Sequence, residues 1–253
     1  MATTNQKTEL ALRRRDFLGL PLDAGGEDEA LAVLEQLATG QAASYLAMVD
    51  MRRVLRARIR SEHARHIRQA GAVLTTSSLV AGSASFLGRD GVKPMRVFHL
   101  VIRLLSLAER NDYTVYLLGG NKQLLQQAER NLRDSFRRLR IVGRFVGGYS
   151  RRQEEQILLA IQKAEPTILL VGSGAPRGEL WPLRNKKRLR PGLTVWVEDC
   201  FEVFAGKKRS APSRLARATR VTLGSLLPPW RLLRLPALAY FVGLVLVHRI
   251  RGL

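Results

Sequence analysis

The residues of this sequence that best indicate a ligand site are glycines that follow apolar runs. The run at residues 168–171 leads directly into Val-Gly-Ser-Gly-Ala-Pro at 171–176. Such a run is long enough for a strand buried on both faces, and the glycines allow a phosphate or a sugar to approach the main chain closely. An ordinary strand-to-helix turn has the same composition, so this motif alone leaves both interpretations open.

Two further apolar runs end in glycine. Residues 113–118 lead into a Gly-Gly pair at 119–120, and residues 140–146 lead into Gly-Gly-Tyr at 147–149. The three runs therefore resemble strands that finish in glycine. The position of a ligand site follows from how these strands are arranged.

The stretches between these runs have helical spacing. Residues 122–136 and 151–163 carry apolar side chains at the intervals of amphipathic helices. Alternation of strand and helix predicts an α/β fold with a doubly wound, mainly parallel, Rossmann-like sheet. The ligand site of such a sheet lies at the carboxyl ends of its strands, where all three glycine motifs fall.

Other segments predict elements around this sheet. Residues 1–26 have the composition of a loosely packed lead, and residues 27–37 predict a helix that opens with three acidic residues. Residues 45–50 predict a short strand. Residues 52–69 predict one long basic helix, whose arginines are typical of a solvated face and form the only candidate nucleic-acid stripe.

In their order and spacing, these motifs resemble the WecG/TagA/CpsF family of bacterial glycosyltransferases, over about residues 45–234. Trp181 and the Phe-Glu-Val-Phe-Ala-Gly-Lys run at 201–207 extend the resemblance. It implies transfer of a sugar from a UDP-sugar donor to a polyprenyl-diphosphate-linked acceptor at the cytoplasmic membrane face. The substrate-binding residues that we predict are Arg96, Gly119, Gly120, Gly148, Tyr149, Gly172, Gly174, Ala175, Pro176, Arg209 and Arg220.

The position of the family's proposed general base, an aspartate, is occupied here by Thr76. A threonine hydroxyl does not accept a proton near neutral pH. A relocated base is expected among Glu202, Asp199 and Glu179, in that order, because Glu202 takes the place of a family aspartate. For each of the three, a helix cap or a surface residue is the alternative interpretation. The alternative is a catalytically degenerate pseudoenzyme that serves the same pathway as a membrane-bound binding or regulatory subunit.

The formal charge of +21 favours an anionic partner. No acidic residue follows Glu202, and an apolar run at 235–247 is flanked by basic residues. This run is shorter than the ~20 residues that span a bilayer, so it predicts a helix lying on an anionic membrane surface. A C-terminal core helix with a basic face is the alternative. A nucleic-acid partner rests on charge alone, and we predict none.

The chain is expected to divide into an N-terminal lead and helix at 1–39, an α/β domain at 40–206 and a basic apolar appendage at 207–253. No export signal follows the basic residues at 13–15, which predicts a cytoplasmic protein peripheral at the inner face of the membrane. The single cysteine, Cys200, predicts a small buried residue. No metal site or cofactor is expected. Other polysaccharide-assembly proteins are further candidate partners.

Overall fold

The computed structural model describes residues 12–207 and 235–251. Its centre is a six-stranded sheet with the order β4-β3-β8-β7-β5-β6, in which every neighbouring pair is parallel. The strands of this sheet are β3 (Ala43–Val49), β4 (Ala72–Thr75), β5 (Thr114–Leu118), β6 (Arg140–Phe145), β7 (Ile168–Gly172) and β8 (Gly192–Glu198). The predicted α/β class and parallel sheet are confirmed.

Helices cover both faces of the sheet. They are α1 (Glu27–Thr39), α2 (Met51–Ile59), α3 (Ser61–Arg68), α4 (Ser78–Phe86), α5 (Val97–Arg110), α6 (Lys122–Ser135), α7 (Arg151–Ala164), α8 (Trp181–Asn185), α9 (Cys200–Phe204) and α10 (Leu235–Ile250). Helices α1, α5 and α6 bury one face, whereas α2, α3, α4 and α7 bury the other. The fold is therefore doubly wound.

Residues 13–24, which we expected to belong to a loosely packed lead, form a β-hairpin instead. Strands β1 (Arg13–Phe17) and β2 (Leu20–Ala24) pair antiparallel, and their apolar side chains join the core. The turn places Leu18 and Gly19 at φ 55° and 76°. Two positive φ values are typical of tight hairpins, but Leu-Gly lacks the Asn-Gly or Asp-Gly signal that marks such turns in a sequence.

The prediction of a single long helix at residues 52–69 is wrong. The chain breaks at Arg60, which takes an extended conformation (φ −120°, ψ 112°) between α2 and α3. Beyond the break, His66 stacks on Tyr45 with ring centroids 5.0 Å apart. Burial lowers the pKa of His66 to about 4, so this ring is neutral at physiological pH.

The ends of the described chain contact each other. Phe241 of α10 is fully buried, and its ring centroid lies 6.4 Å from that of Phe17 in β1. Within the described residues, no helix is both long enough and apolar enough to cross a bilayer. Cys200 is buried as predicted, and burial raises its thiol pKa to about 12. The division of the chain at residues 40 and 207 stays a prediction.

Candidate functional site

The three glycine motifs meet at the carboxyl edge of the sheet, because β7, β5 and β6 are neighbours. Their turns are joined by main-chain hydrogen bonds. Gly120 N donates to Ser173 O (2.6 Å), and Gly148 N donates to Gly174 O (2.7 Å). Gly147 N donates to Gly120 O at 2.8 Å. These N–H groups are therefore used inside the loops, and a phosphate cannot take them without breaking a loop contact.

Close packing of backbone on backbone explains why two of these positions are glycine. A Cβ atom on Gly119 would lie 2.9 Å from the Gly172 carbonyl carbon. A Cβ atom on Gly147 would lie 2.7 Å from the Gly174 carbonyl carbon. Neither distance leaves room for a methyl group. The glycines thus bring three loops into direct contact and so shape this edge of the sheet.

The side chains of Tyr149 and Trp181 support these loops. The indole Nε1 of Trp181 donates to the Tyr149 hydroxyl at 2.7 Å, and both side chains are buried. Burial raises the pKa of Tyr149, which keeps the phenol protonated. Ala175 is buried in the same cluster. These residues support the loops, whereas Gly148 and Gly174 face solvent.

A cleft of about 650 Å³ opens beside these loops, at the ends of β7 and β8. Ser173 and the turn at 177–180 form one wall, and α2 with the start of α3 forms the other. Its charged lining residues are Arg53, Arg56, Arg60, Glu62, His63, Arg177, Glu179, Glu198 and Asp199. Cations and carboxylates are therefore mixed within one concave surface.

Arg53 lies at the centre of this charge cluster. Its Nε donates to Glu179, its Nη2 donates to Glu198, and its Nη1 lies 3.8 Å from an Asp50 oxygen. Burial opposes the charge of Arg53, but the two glutamates outweigh burial and raise its pKa. Arg56 Nη1 lies 3.5 Å from Glu179, and His63 Nδ1 lies 4.0 Å from it. Glu179 is thus held by a ring of nitrogen atoms.

The backbone at the mouth of the cleft has unusual conformations. Arg177 and Glu198 have φ values of 63° and 45°, a region that side-chain-bearing residues seldom occupy. Asp50 is the N-cap of α2 and accepts a 2.8 Å hydrogen bond from Arg53 N. These conformations and this cap fix the two walls of the cleft relative to each other, and unusual backbone of this kind concentrates at ligand sites.

Two of the three predicted carboxylates, Glu179 and Asp199, line this cleft. Glu202 lies in α9 and is absent from the cleft lining that the described residues form; its N–H donates to Asp199 O at 3.0 Å. Arg96 is exposed at the start of α5, next to the end of β4, where Met95 N donates to Thr75 O.

Thr76 follows β4 and donates its N–H to Val49 O at 3.1 Å. Pro176 is half-buried beside Ala175. Arg209 and Arg220 lie outside the described residues. The roles that we assigned to all these residues in substrate binding or catalysis stay predictions.

Sequence reasoning missed Glu198 and the arginines of the cleft. Glu198 ends a strand directly before Asp199, and a carboxylate in that position was the available signal. Arg53 and Arg56 were interpreted as part of a solvated basic face. Their direction depends on where α2 crosses the sheet edge, which helical spacing alone does not give.

Comparison with known proteins gives a family match over most of the chain. The sequence profile described as "Glycosyl transferase WecG/TagA/CpsF family" matches residues 15–253. Curated relatives from Staphylococcus aureus strains NCTC 8325 / PS 47 and COL are named N-acetylglucosaminyldiphosphoundecaprenol N-acetyl-beta-D-mannosaminyltransferase. Each is 24% identical over 143 residues, covering 51% of this chain and 56% of the relative. The chain thus spans about half the length of these relatives.

Proposed function

This chain belongs to the WecG/TagA/CpsF family of glycosyl transferases, and on that premise we propose that it transfers a sugar from a UDP-sugar to a polyprenyl-diphosphate-linked acceptor in cell-surface polysaccharide assembly. The cleft at the ends of β7 and β8 is the observation that carries this proposal, because it combines four arginines with carboxylates. The name of the S. aureus relatives supports an acceptor of this class, since it specifies a diphosphoundecaprenol-linked sugar.

The proposed reaction is a displacement at the anomeric carbon of the donor. An acceptor hydroxyl attacks that carbon, the bond to the UDP oxygen breaks, and UDP leaves with the electron pair. The arginines of the cleft offset the negative charge that develops on the leaving group. The hydroxyl proton passes to a carboxylate.

Asp199 is our proposed base. It lines the cleft directly after β8, at the carboxyl ends of the strands, where open α/β sheets bind their ligands. Glu179 ranks second because it lies in the turn at 177–180 and not directly after a strand of the sheet. Glu202 has the same chemistry but lies outside the cleft lining. The structure therefore changes our order of preference to Asp199 first, then Glu179 and Glu202.

A transfer assay tests the proposal directly. The full-length protein is incubated with radiolabelled UDP-N-acetylhexosamines and UDP-hexoses, and with short-chain analogues of a lipid-linked diphosphate sugar. We expect label to enter the lipid fraction with release of UDP. Absence of both transfer and UDP release across donors and acceptors would contradict the enzymatic proposal.

A pseudoenzyme is the second candidate function, and Thr76 favours it. This threonine stands at the end of β4, where the family's base is expected, and it places no carboxylate there. In that case the cleft binds a nucleotide sugar without turnover. A native protein that binds UDP but transfers nothing, together with a Thr76→Asp variant that gains transfer, would favour this second function.

We also propose that α10 and its neighbours dock on an anionic membrane surface. Among residues 236–250 of α10, the buried side chains are Phe241 and Val245, whereas Tyr240 and Ile250 are 55% and 83% exposed. The exposed apolar side chains of α10 include Tyr240, Val242, Leu246, Val247 and Ile250. Arg249 joins α4 to α10, with its guanidinium 5.6 Å from the Phe86 ring centroid. An apolar face next to a cation suits the headgroup layer.

Negative charge introduced on the exposed apolar face of α10 is expected to release the protein from membranes. The double variant Leu246→Glu, Ile250→Glu should lower binding to phosphatidylglycerol-containing vesicles by roughly tenfold or more, because each change removes apolar contact and adds a repelled charge. Leu159→Glu is the matched control, since Leu159 is 54% exposed on α7, on a different helix. Flotation of all three proteins measures the bound fraction. Equal flotation of the double variant and the native protein would refute the docking face.

A further inference from the structure

Arg53 has more carboxylate partners than one guanidinium can neutralise. Glu179 and Glu198 both accept hydrogen bonds from it, and Asp50 lies 3.8 Å away. These carboxylates share one arginine, and their like charges repel each other. Because Arg56 also lies 3.5 Å from Glu179, that residue has a second cation to hold it. Among the described ion pairs, Glu198 and Asp50 have no second cation, but Asp50 is also held as the N-cap of α2, where it accepts from Arg53 N.

Exposure also separates the two glutamates. The side chain of Glu179 is 16% exposed, as is that of Arg53, whereas the side chain of Glu198 is 46% exposed. A partly exposed ion pair contributes little to stability, so it is readily exchanged for a better anion. Glu198 is therefore the carboxylate that an incoming ligand can replace, while Glu179 stays in place.

A diphosphate is an anion that suits this exchange. Phosphate oxygens match the planar fork of a guanidinium, and a diphosphate carries more charge than a carboxylate. Glu198 occupies the Nη2 donor of Arg53, and both residues line the cleft together with Arg177 and Ser173. A ligand oxygen in the place of the Glu198 carboxylate would thus meet a charged donor already oriented by Glu179.

We propose that Glu198 holds the diphosphate position on Arg53, and that a substrate diphosphate displaces it. The identity of the substrate rests on the proposed function, but the anion exchange does not. Glu198 acts as an internal competitor, which lowers the affinity of the cleft for any diphosphate. Glu198 thereby neutralises a partly buried arginine until the ligand takes over that role.

Isothermal titration with inorganic pyrophosphate and with UDP tests this exchange. Removal of the competitor should make binding tighter, so we expect Glu198→Gln to lower the pyrophosphate Kd by about three- to tenfold at low salt. Glu198→Asp keeps the charge but shortens the reach, and it should give part of the same gain. In an Arg53→Lys background the gain should shrink, because the forked donor has been removed.

Glu155→Gln is the matched control for the loss of one negative charge. Glu155 is an exposed partner of Arg188 on α7, remote from the cleft lining. Its effect on the pyrophosphate Kd should be small and lost in 0.3 M salt, where surface charges are screened. Thermal melting curves confirm that each variant is folded before it is titrated.

The outcomes separate this inference from the proposed function. Unchanged or weaker pyrophosphate binding in folded Glu198→Gln would overturn the inference, as would absence of pyrophosphate binding in all forms. Tighter pyrophosphate binding without any sugar transfer would support the anion exchange and count against the enzymatic proposal. Transfer with a UDP affinity that does not respond to Glu198→Gln would support the enzyme and overturn the exchange.

Discussion

Replacement of Asp199 by asparagine is expected to lower kcat for sugar transfer by about 10²–10⁴-fold, the usual contribution of general-base assistance. Asparagine has nearly the same size as aspartate, but its amide cannot accept the acceptor's proton. Asp199 lines the cleft directly after Glu198, so its loss should affect turnover more than donor binding. Steady-state kinetics with a fixed acceptor would give kcat and KM separately.

Chemical rescue distinguishes a base from a structural residue. Added formate should restore part of the activity of Asp199→Ala if the missing group is a proton acceptor, whereas it would not repair a distorted loop. Glu202→Gln and Glu179→Gln test the other predicted carboxylates in the same assay. A loss of activity confined to Glu202→Gln, with Asp199→Asn near native activity, would transfer the role to Glu202.

A single methyl group on Gly147 is expected to destabilise the protein and to weaken UDP binding. Its Cβ, which is fixed directly to the main chain, would lie 2.7 Å from the backbone carbonyl carbon of Gly174, so neither atom can turn away. Overpacking of this kind costs about 1–3 kcal/mol of the free energy of unfolding. The displaced loop would also stretch the 2.7 Å hydrogen bond from Gly148 N to Gly174 O. Denaturant unfolding and UDP titration of Gly147→Ala measure the two effects.

Gly82→Ala is the matched control for this change. Gly82 is exposed in α4, and a Cβ atom there would meet nothing within 4 Å. Alanine in place of glycine stabilises a helix interior by roughly 0.5–1 kcal/mol, so the two glycine substitutions should have opposite signs. Equal stability of Gly147→Ala and the native protein would show that the loops are not in close contact in solution.

The parallel sheet was predictable because several of its strands can be recognised from short stretches of sequence. The apolar runs of β5, β6 and β7 each lead into glycine, and this signal needs no knowledge of distant residues. The break at Arg60 gave no such signal, since the buried residues Val54, Ala57, Ala64 and Ile67 continue at helical spacing across it. The β1–β2 hairpin was hidden for a different reason. Its first strand carries Arg13, Arg14 and Arg15 on exposed positions, which resembles a solvated terminus.

The candidate site was predictable only in part. Asp199 and Glu179 were identified as candidates because they lie next to recognisable motifs. Arg53 comes from a helix 126 residues away in sequence from Glu179, and nothing in either segment indicates the other. Gly119 and Gly147 pack against the backbone of Gly172 and Gly174, and substrate binding by the glycines stays a prediction. A local pattern shows that backbone must approach something, and only the tertiary structure shows what it approaches.

The contact between Phe17 and Phe241 has a consequence for the order of synthesis. The hairpin that carries Phe17 emerges early, whereas the helix that covers it is made about 220 residues later, roughly 10–45 s at usual translation rates. During that interval the apolar side of the hairpin lacks its final cover. Binding of nascent chains by a chaperone should therefore persist until α10 has been translated, and a burial-disrupting Phe241→Asp change should prolong it.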